Sequence, residues 1–166
     1  DAKAMQWGRE MEVVAFDAYV ERMPNIQVNC EPFQFFSLFS DIGGTPDGSL
    51  LYEGMNGCLE VKCPYDPAVH VETVQTGAIP KPEWRWQVDG HMLVTGRSWC
   101  DFASFDPRIK GRERLFVIRV ERDQSRMSYL IERLDAAQKM VESMVSAARS
   151  SECFVEQKAL PGTAKG

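Results

Sequence analysis

Three residues in the first half of the chain have types and spacing that suggest chemistry. Asp47 stands in the turn "GGTPDG", and Glu60 and Lys62 flank a single valine in "LEVKCP". Each has an ordinary explanation. Pro presets φ and Gly accepts positive φ, so Pro-Asp-Gly makes a plain turn. Glu-Val-Lys reads as strand alternation with its charges on a wet face. Taken together they ask for more. In a strand, Glu60 and Lys62 share one face while Val61 points to the core. The hairpin after Asp47 brings that aspartate beside Glu60. Two carboxylates about 4 Å apart repel by roughly 4 kcal/mol at an effective dielectric of about 20. A hard divalent cation offsets that repulsion, and Mg²⁺ accepts carboxylates, a carbonyl and waters in octahedral geometry. Such an ion polarises a phosphoryl oxygen and acidifies a bound water. Lys62 fits as the donor that holds the water and offsets developing charge.

The elements that must position these residues follow from periodicity and punctuation. Residues 2–22 carry Met5, Gly8, Met11, Val14 and Ala18 at helical spacing, and Pro24 ends the helix. Gly8, which costs about 1 kcal/mol against Ala in mid-helix, marks either a helix start or the approach of another backbone. Residues 26–30 and 33–39 read as strands, the second nearly continuous apolar and so buried. Residues 49–53 and 57–63 pair as a hairpin across "GMNG". Helices are expected over 66–76 and 83–95, the latter ended by Gly96. "SWCDFASF" and "RLFVIRVER" alternate as strands. A long amphipathic helix over 123–149 is N-capped by Asp123. Its stripe of Met127, Leu130, Leu134, Met140 and Met144 reads as core packing, with any exposed Met serving a subunit interface. This order is an α/β fold with a central mixed sheet flanked by helices. The expectation is one domain over 1–166, with a tail from 150.

Composition narrows the class. With 44% hydrophobic and 26% charged residues, the chain reads as soluble and globular. It has no run of eighteen apolar residues, so no membrane span is expected. The five cysteines are scattered without a CxxC pair, which excludes a zinc ribbon and a disulfide framework and suits free thiols in the cytoplasm. A net charge of −5 runs against a broad phosphate-binding surface. A carboxylate-rich metal site reverses that sign locally.

The "PD" turn, spacer and "EVK" strand form the pattern of the PD-(D/E)XK nucleases. The chain resembles one branch of them, the lambda-exonuclease and YqaJ-like viral recombinase nucleases. "QWGREMEVVAFDAY" is similar to the family's first-helix signature, "TPDG" to its SPDG and "LEVKCP" to its central strand. "WRWQVDGHMLVTGRSWCDFASFDPR" resembles its glutamine helix and following strand, and "LFVIRVERDQ" the strand before its last helix. The resemblance covers roughly residues 3–148. It implies that Asp47 and Glu60 ligate Mg²⁺ or Mn²⁺ with the Val61 carbonyl, and that Lys62 is the catalytic lysine. It implies a second ion held by Glu12, and a Gln87 that helps position the lysine and the attacking water. It further implies 5′→3′ degradation of one strand of duplex DNA in the cytoplasm of a bacterial or phage-infected cell. The implied partners are free DNA ends, two further copies in a ring-shaped trimer, and a single-strand annealing protein. The chain departs from the pattern at Ser37, where some relatives carry an acid. The upstream part of the family fold, which engages the 5′ phosphate, is expected to lie outside this sequence.

Other residues also carry candidate chemistry. Trp84, three positions before Gln87, is the candidate to stack on DNA, and Arg108 and Lys110 in the basic run 108–119 are candidate phosphate contacts. His70 and His91 read as surface or helper histidines. Two alternatives to the exonuclease stand. One is a structure-specific or restriction-type endonuclease on the same core, and the other a non-catalytic DNA-binding or assembly module.

Overall fold

The computed structural model of the protein describes residues 2–30, 34–36 and 39–150. Ser37 and the expected tail from 151 onward lie outside the described residues. The chain divides into two compact units, Asp1–Met127 and Ser128–Gly166.

The first unit opens with helix α1 (Ala2–Arg22), followed by β1 (Gln27–Asn29), β2 (Gln34–Phe36) and β3 (Phe39–Gly44). Then come β4 (Gly48–Tyr52), β5 (Met55–Lys62), α2 (Pro67–Thr76), α3 (Pro82–Thr95), β6 (Trp99–Phe105) and β7 (Leu115–Glu121). Helix α4 (Gln124–Ser150) begins in this unit. The main sheet has the order β1-β4-β5-β6-β7, and β2 and β3 form a separate two-stranded sheet. Strands β5 and β6 run parallel, and the other neighbours run antiparallel. The parallel pair is joined by a crossover through α2 and α3, as parallel strands require. The fold is α/β with a mixed sheet and flanking helices, as the sequence pattern implies.

Local chemistry explains the boundaries. Asp66 caps α2 by accepting from the Ala68 N–H, and Pro67 and Pro82 open their helices. Gly77 and Gly96 close α2 and α3 at φ 63 and 72. Asp123 accepts from the N–H groups of Ser125 at 2.8 Å and Arg126 at 3.0 Å, which caps α4 as expected. The β4–β5 turn is Glu53-Gly54, with φ 49 and 78, and not "GMNG". Two consecutive positive φ values match the right-handed strand twist and make a two-residue hairpin loop. Gly57 consequently sits inside the strand, opposite Trp99. Among the described residues, nothing stands within 4 Å of where a Cβ on Gly8 would lie, so none of their backbone approaches it.

The sheet is covered on both faces, and one core lies on each. Ala15, Ala18 and Tyr19 of α1 pack on Leu50, Leu59, Val61, Ala103 and Phe105. Val88 and Met92 of α3 pack on Cys58, Cys100, Phe102 and Val120. Each fully buried Leu, Val, Phe or Met side chain among them contributes roughly 1.5–3 kcal/mol. Strand β5 is therefore buried on both sides from Gly57 to Val61. The wet face that Glu-Val-Lys suggests does not exist at Glu60, which is 2% exposed.

Buried polar residues fasten the helices to the sheet. The Tyr19 hydroxyl donates to Asp101 at 2.7 Å, and Arg119 grips both Asp101 oxygens at 2.8 Å. His70 is fully buried, with Nδ1 2.8 Å from Ser104 Oγ and Nε2 2.8 Å from the Glu113 carbonyl. It is a structural link between α2 and β6, not a surface histidine. Asp89, also buried, pairs with Arg85 and Arg126.

The described part of the second unit is the rest of α4. Lys139 pairs with Asp135 one turn away at 2.7 Å. Met140 and Met144 are exposed, so the apolar stripe is not core throughout. Burial in that stripe is complete at Met127, in the first unit.

Candidate active site

The site gathers at the C-terminal end of β5. Antiparallel pairing sets Gly48 opposite Leu59, so Asp47 enters beside Glu60. The Asp47 N–H donates to the Leu59 carbonyl at 3.0 Å, and its Oδ2 accepts from the Val61 N–H at 2.7 Å. The turn aspartate is thus fixed at both its backbone and its side chain.

Glu60 points toward α3. Lys62, two residues on and on the same face, donates to Glu60 Oε1. His91 of α3 approaches from the other side, with Nδ1 3.1 Å from Glu60 Oε2. That separation is within ion-pair reach, yet the two atoms are not aligned as a hydrogen bond and both are buried without one. A carboxylate this deep costs several kcal/mol without compensation. Burial opposes its charge, but His91 and Lys62 outweigh burial and hold the Glu60 carboxyl below 4.5.

Asp47 is driven the other way. Burial first, then the neighbouring Glu60 and Glu12, push its carboxyl up to about 6, against the Val61 N–H and Lys62. Cys63 reads the same field. Burial, with Glu12, Asp47 and Asp106, lifts its thiol to about 12. The end of β5 is a pocket of excess negative charge.

Glu12 lies on the exposed side of α1 and borders two hollows. One, of about 280 Å³, is a groove lined by Gly8, Arg9, Glu12, Val61, Lys62 and Trp84, among others. The second, of about 270 Å³, joins Glu12 to Asp47, Val13, Phe16 and Cys30. The open space at Gly8 keeps the first groove clear. A larger hollow of about 510 Å³ lies at the far end of α1, beside Arg22, Arg112 and Arg114, away from Asp47 and Glu60.

Of the residues singled out by sequence, Asp47, Glu60, Val61 and Lys62 come together, with Glu12 and Trp84 on the groove beside them. Trp84 packs its ring on Phe102 at 5.9 Å between centroids, and the Lys81 ammonium lies over the ring at 4.7 Å from its centroid. Gln87 is exposed on α3, one turn before His91. Lys110 is exposed on the loop before β7. Arg108 is engaged by both oxygens of Asp106 at 2.8 Å and by the Pro64 and Tyr65 carbonyls, and it stacks on Trp7 at 4.6 Å. The contact of His91 with Glu60 is the feature that the sequence signalled least. Its one hint is the spacing of four from Gln87.

Among the described residues, no group of three or more His, Cys, Asp or Glu side chains stands close enough to hold a metal ion. The donor chemistry nonetheless suits a hard cation, since the side chains of Asp47 and Glu60 offer only oxygens.

A family model described as a YqaJ-like viral recombinase domain matches residues 1–98. Among solved structures, the chain is 32% identical to an alkaline exonuclease from Laribacter hongkongensis, with a TM-score of 0.80 over 88% of this chain and 72% of that one. The same enzyme in complex with dAMP matches at 31% identity and a TM-score of 0.66, over 88% of this chain and 75% of that one. A phage related exonuclease from Haemophilus somnus, at 18% identity and a TM-score of 0.68, shares the fold over 88% of this chain and 74% of that one. No curated protein matches. The resemblance read from "TPDG", "LEVKCP" and the flanking helices is borne out: the chain belongs to the YqaJ-like viral recombinase family and has the fold of the alkaline exonucleases.

Proposed function

We propose that the protein is a divalent-metal-dependent exodeoxyribonuclease that degrades duplex DNA from its ends in the cytoplasm. Family membership and the identity to an alkaline exonuclease support the nuclease class. The observation that carries the reading is the juxtaposition of Glu60, paired with Lys62, and Asp47, whose carboxyl is pushed up to about 6. A buried acid and a half-buried one beside one ammonium are short of positive charge, and the deficit is what a cation fills.

In this reading Asp47 and Glu60, with the Val61 carbonyl, hold Mg²⁺ or Mn²⁺, and Glu12 faces a second ion. A bound cation supplies polarisation of the phosphoryl oxygen and a water acidic enough to attack it at neutral pH. Lys62 gives up Glu60 Oε1 and turns its Nζ protons to the attacking water and the developing phosphate charge. Gln87 positions that lysine and water. Trp84, whose indole lines the groove, meets a base there. Lys110 and the exposed edge of Arg108 meet backbone phosphates. The same reading extends to a homotrimer around the DNA and to a single-strand annealing protein as partner. No helix among the described residues is long and apolar enough to cross a membrane.

The test compares an end-labelled linear duplex with a closed circle under Mg²⁺ titration, for wild type and Lys62→Ala. Mg²⁺-dependent loss of the linear form alone, abolished in the variant, is expected. Cleavage of the circle would instead make it an endonuclease. Equal inertness with retained duplex binding would make it a binding module.

A further inference from the structure

We infer that His91 is a positioning residue, whose Nδ1–H holds the Glu60 carboxylate by Oε2 and so leaves Oε1 as the oxygen that changes partner. The inference rests on the metal-dependent reading of the site. Glu60 Oε2 and His91 Nδ1 are both buried, both lack a hydrogen bond, and stand 3.1 Å apart. Two such atoms face each other only if the contact has a use, because buried polar atoms otherwise find partners. Catalytic hydrogen bonds are often poorly aligned before ligand binds and tighten afterwards.

The imidazole has little freedom to leave. A methyl group at position 44 would lie 3.3 Å from His91 Cδ2, so the glycine that ends β3 gives the ring its seat. The His91 carbonyl is in turn held by the Thr95 hydroxyl at 2.7 Å. By contrast, Lys62 is 21% exposed in its side chain and borders the open groove. The two partners of Glu60 therefore differ in setting: the lysine on Oε1 borders the open groove, and the histidine on Oε2, 13% exposed, is seated against Gly44. A ligand carboxylate clamped at one oxygen presents the other in a fixed direction, and such supporting contacts commonly govern metal affinity.

Isothermal titration of Mn²⁺ into the full chain tests this with His91→Ala, His91→Asn and His91→Gln. The Asn amide nitrogen falls where Nδ1 was, whereas the Gln amide reaches toward the former Nε2. The expected result is a Mn²⁺ affinity about 10- to 100-fold weaker for Ala and Gln, with Asn close to wild type. Wild-type affinity in His91→Ala overturns the assignment, as does equal affinity of the Asn and Gln variants. If the Ala variant fails to fold, the Asn–Gln comparison alone decides. Asp47→Asn separates the two readings. If it abolishes Mn²⁺ binding while the His91 variants do not differ, the metal site stands and the role of His91 falls. If wild type binds no Mn²⁺, both fall.

Discussion

The Oδ2 atom of Asp47 accepts a hydrogen bond from the Val61 backbone N–H at 2.7 Å. One aspartate thereby ties the turn to the strand that carries Glu60 and Lys62. Asp47→Asn keeps an acceptor for that N–H and removes the negative charge. The variant is expected to melt no lower than wild type in the absence of metal, and to lose nuclease activity by orders of magnitude. Parallel thermal melts and digestion of a labelled duplex check both halves.

The same residue gives a pH signature. Burial and its acidic neighbours raise Asp47 from an ordinary 3.8 to about 6. A carboxyl raised on folding stabilises the fold below its unfolded value, and that contribution disappears as pH climbs through the folded value. Metal-free wild type should therefore lose stability relative to Asp47→Asn from pH 3.8 to about 6, and no further above it. Glu60 has the opposite sign. His91 and Lys62, outweighing burial, hold it below 4.5, so its contribution is present above that value and is lost as pH falls below it. Urea midpoints of both proteins across this range give the answer. A gap between them that does not change with pH would contradict the assignment.

Lys62 and Glu60 should couple strongly. Removing one partner of a buried ion pair costs about 3–5 kcal/mol, because the other charge is stranded. Lys62 is partly exposed, so Lys62→Met should fall at the low end of that range. Glu60→Gln with Lys62→Met should be less destabilising than the sum of the two single changes. A double-mutant cycle by urea denaturation measures the difference, and strict additivity would argue that the pair is idle.

Asp101 supports α1 from beneath. It accepts from Tyr19 and from two Arg119 nitrogens while fully buried. Asp101→Ala strands the guanidinium and the phenol together, at a cost of about 3–5 kcal/mol. Tyr19→Phe removes one hydrogen bond and should cost about 1 kcal/mol. Calorimetric melts rank them, and equal midpoints would show that the network carries no weight.

Gly57 has no room to grow. A Cβ there would come within 2.4 Å of the Trp99 ring. Gly57→Ala should cost at least 1–3 kcal/mol, with displacement of the indole. A shift in tryptophan emission accompanying the lower midpoint is the expected mark.

Much of this arrangement was legible because it is local. Asp47, Glu60 and Lys62 declare themselves through turn chemistry and strand period, and Gly96 and Asp123 through helix-end chemistry. The turn at Glu53-Gly54 was hidden because a glutamate at positive φ is uncommon. The burial of Glu60 was hidden because period-two reasoning assumes one wet face, whereas parallel pairing with β6 covers both. Sequence could not show that Asp106, two residues before Arg108, engages its guanidinium and leaves only part of it exposed. His91 was visible only as a neighbour of Gln87, since its partner is 31 positions away on another element.

Helix α1 crosses the sheet like a beam with two bearings. Near one end Trp7 rests on Arg108 and meets the edge of Tyr65, and near the other Tyr19 sits on Asp101. The bearings are about 18 Å apart at the helical rise, and Glu12 hangs between them. Freeing either one turns the beam into a cantilever, and a tilt of about 10° then swings Glu12 by roughly 1–2 Å. The first thing to drift out of register on warming should thus be the acid carried by the helix, while the pair on the hairpin still holds.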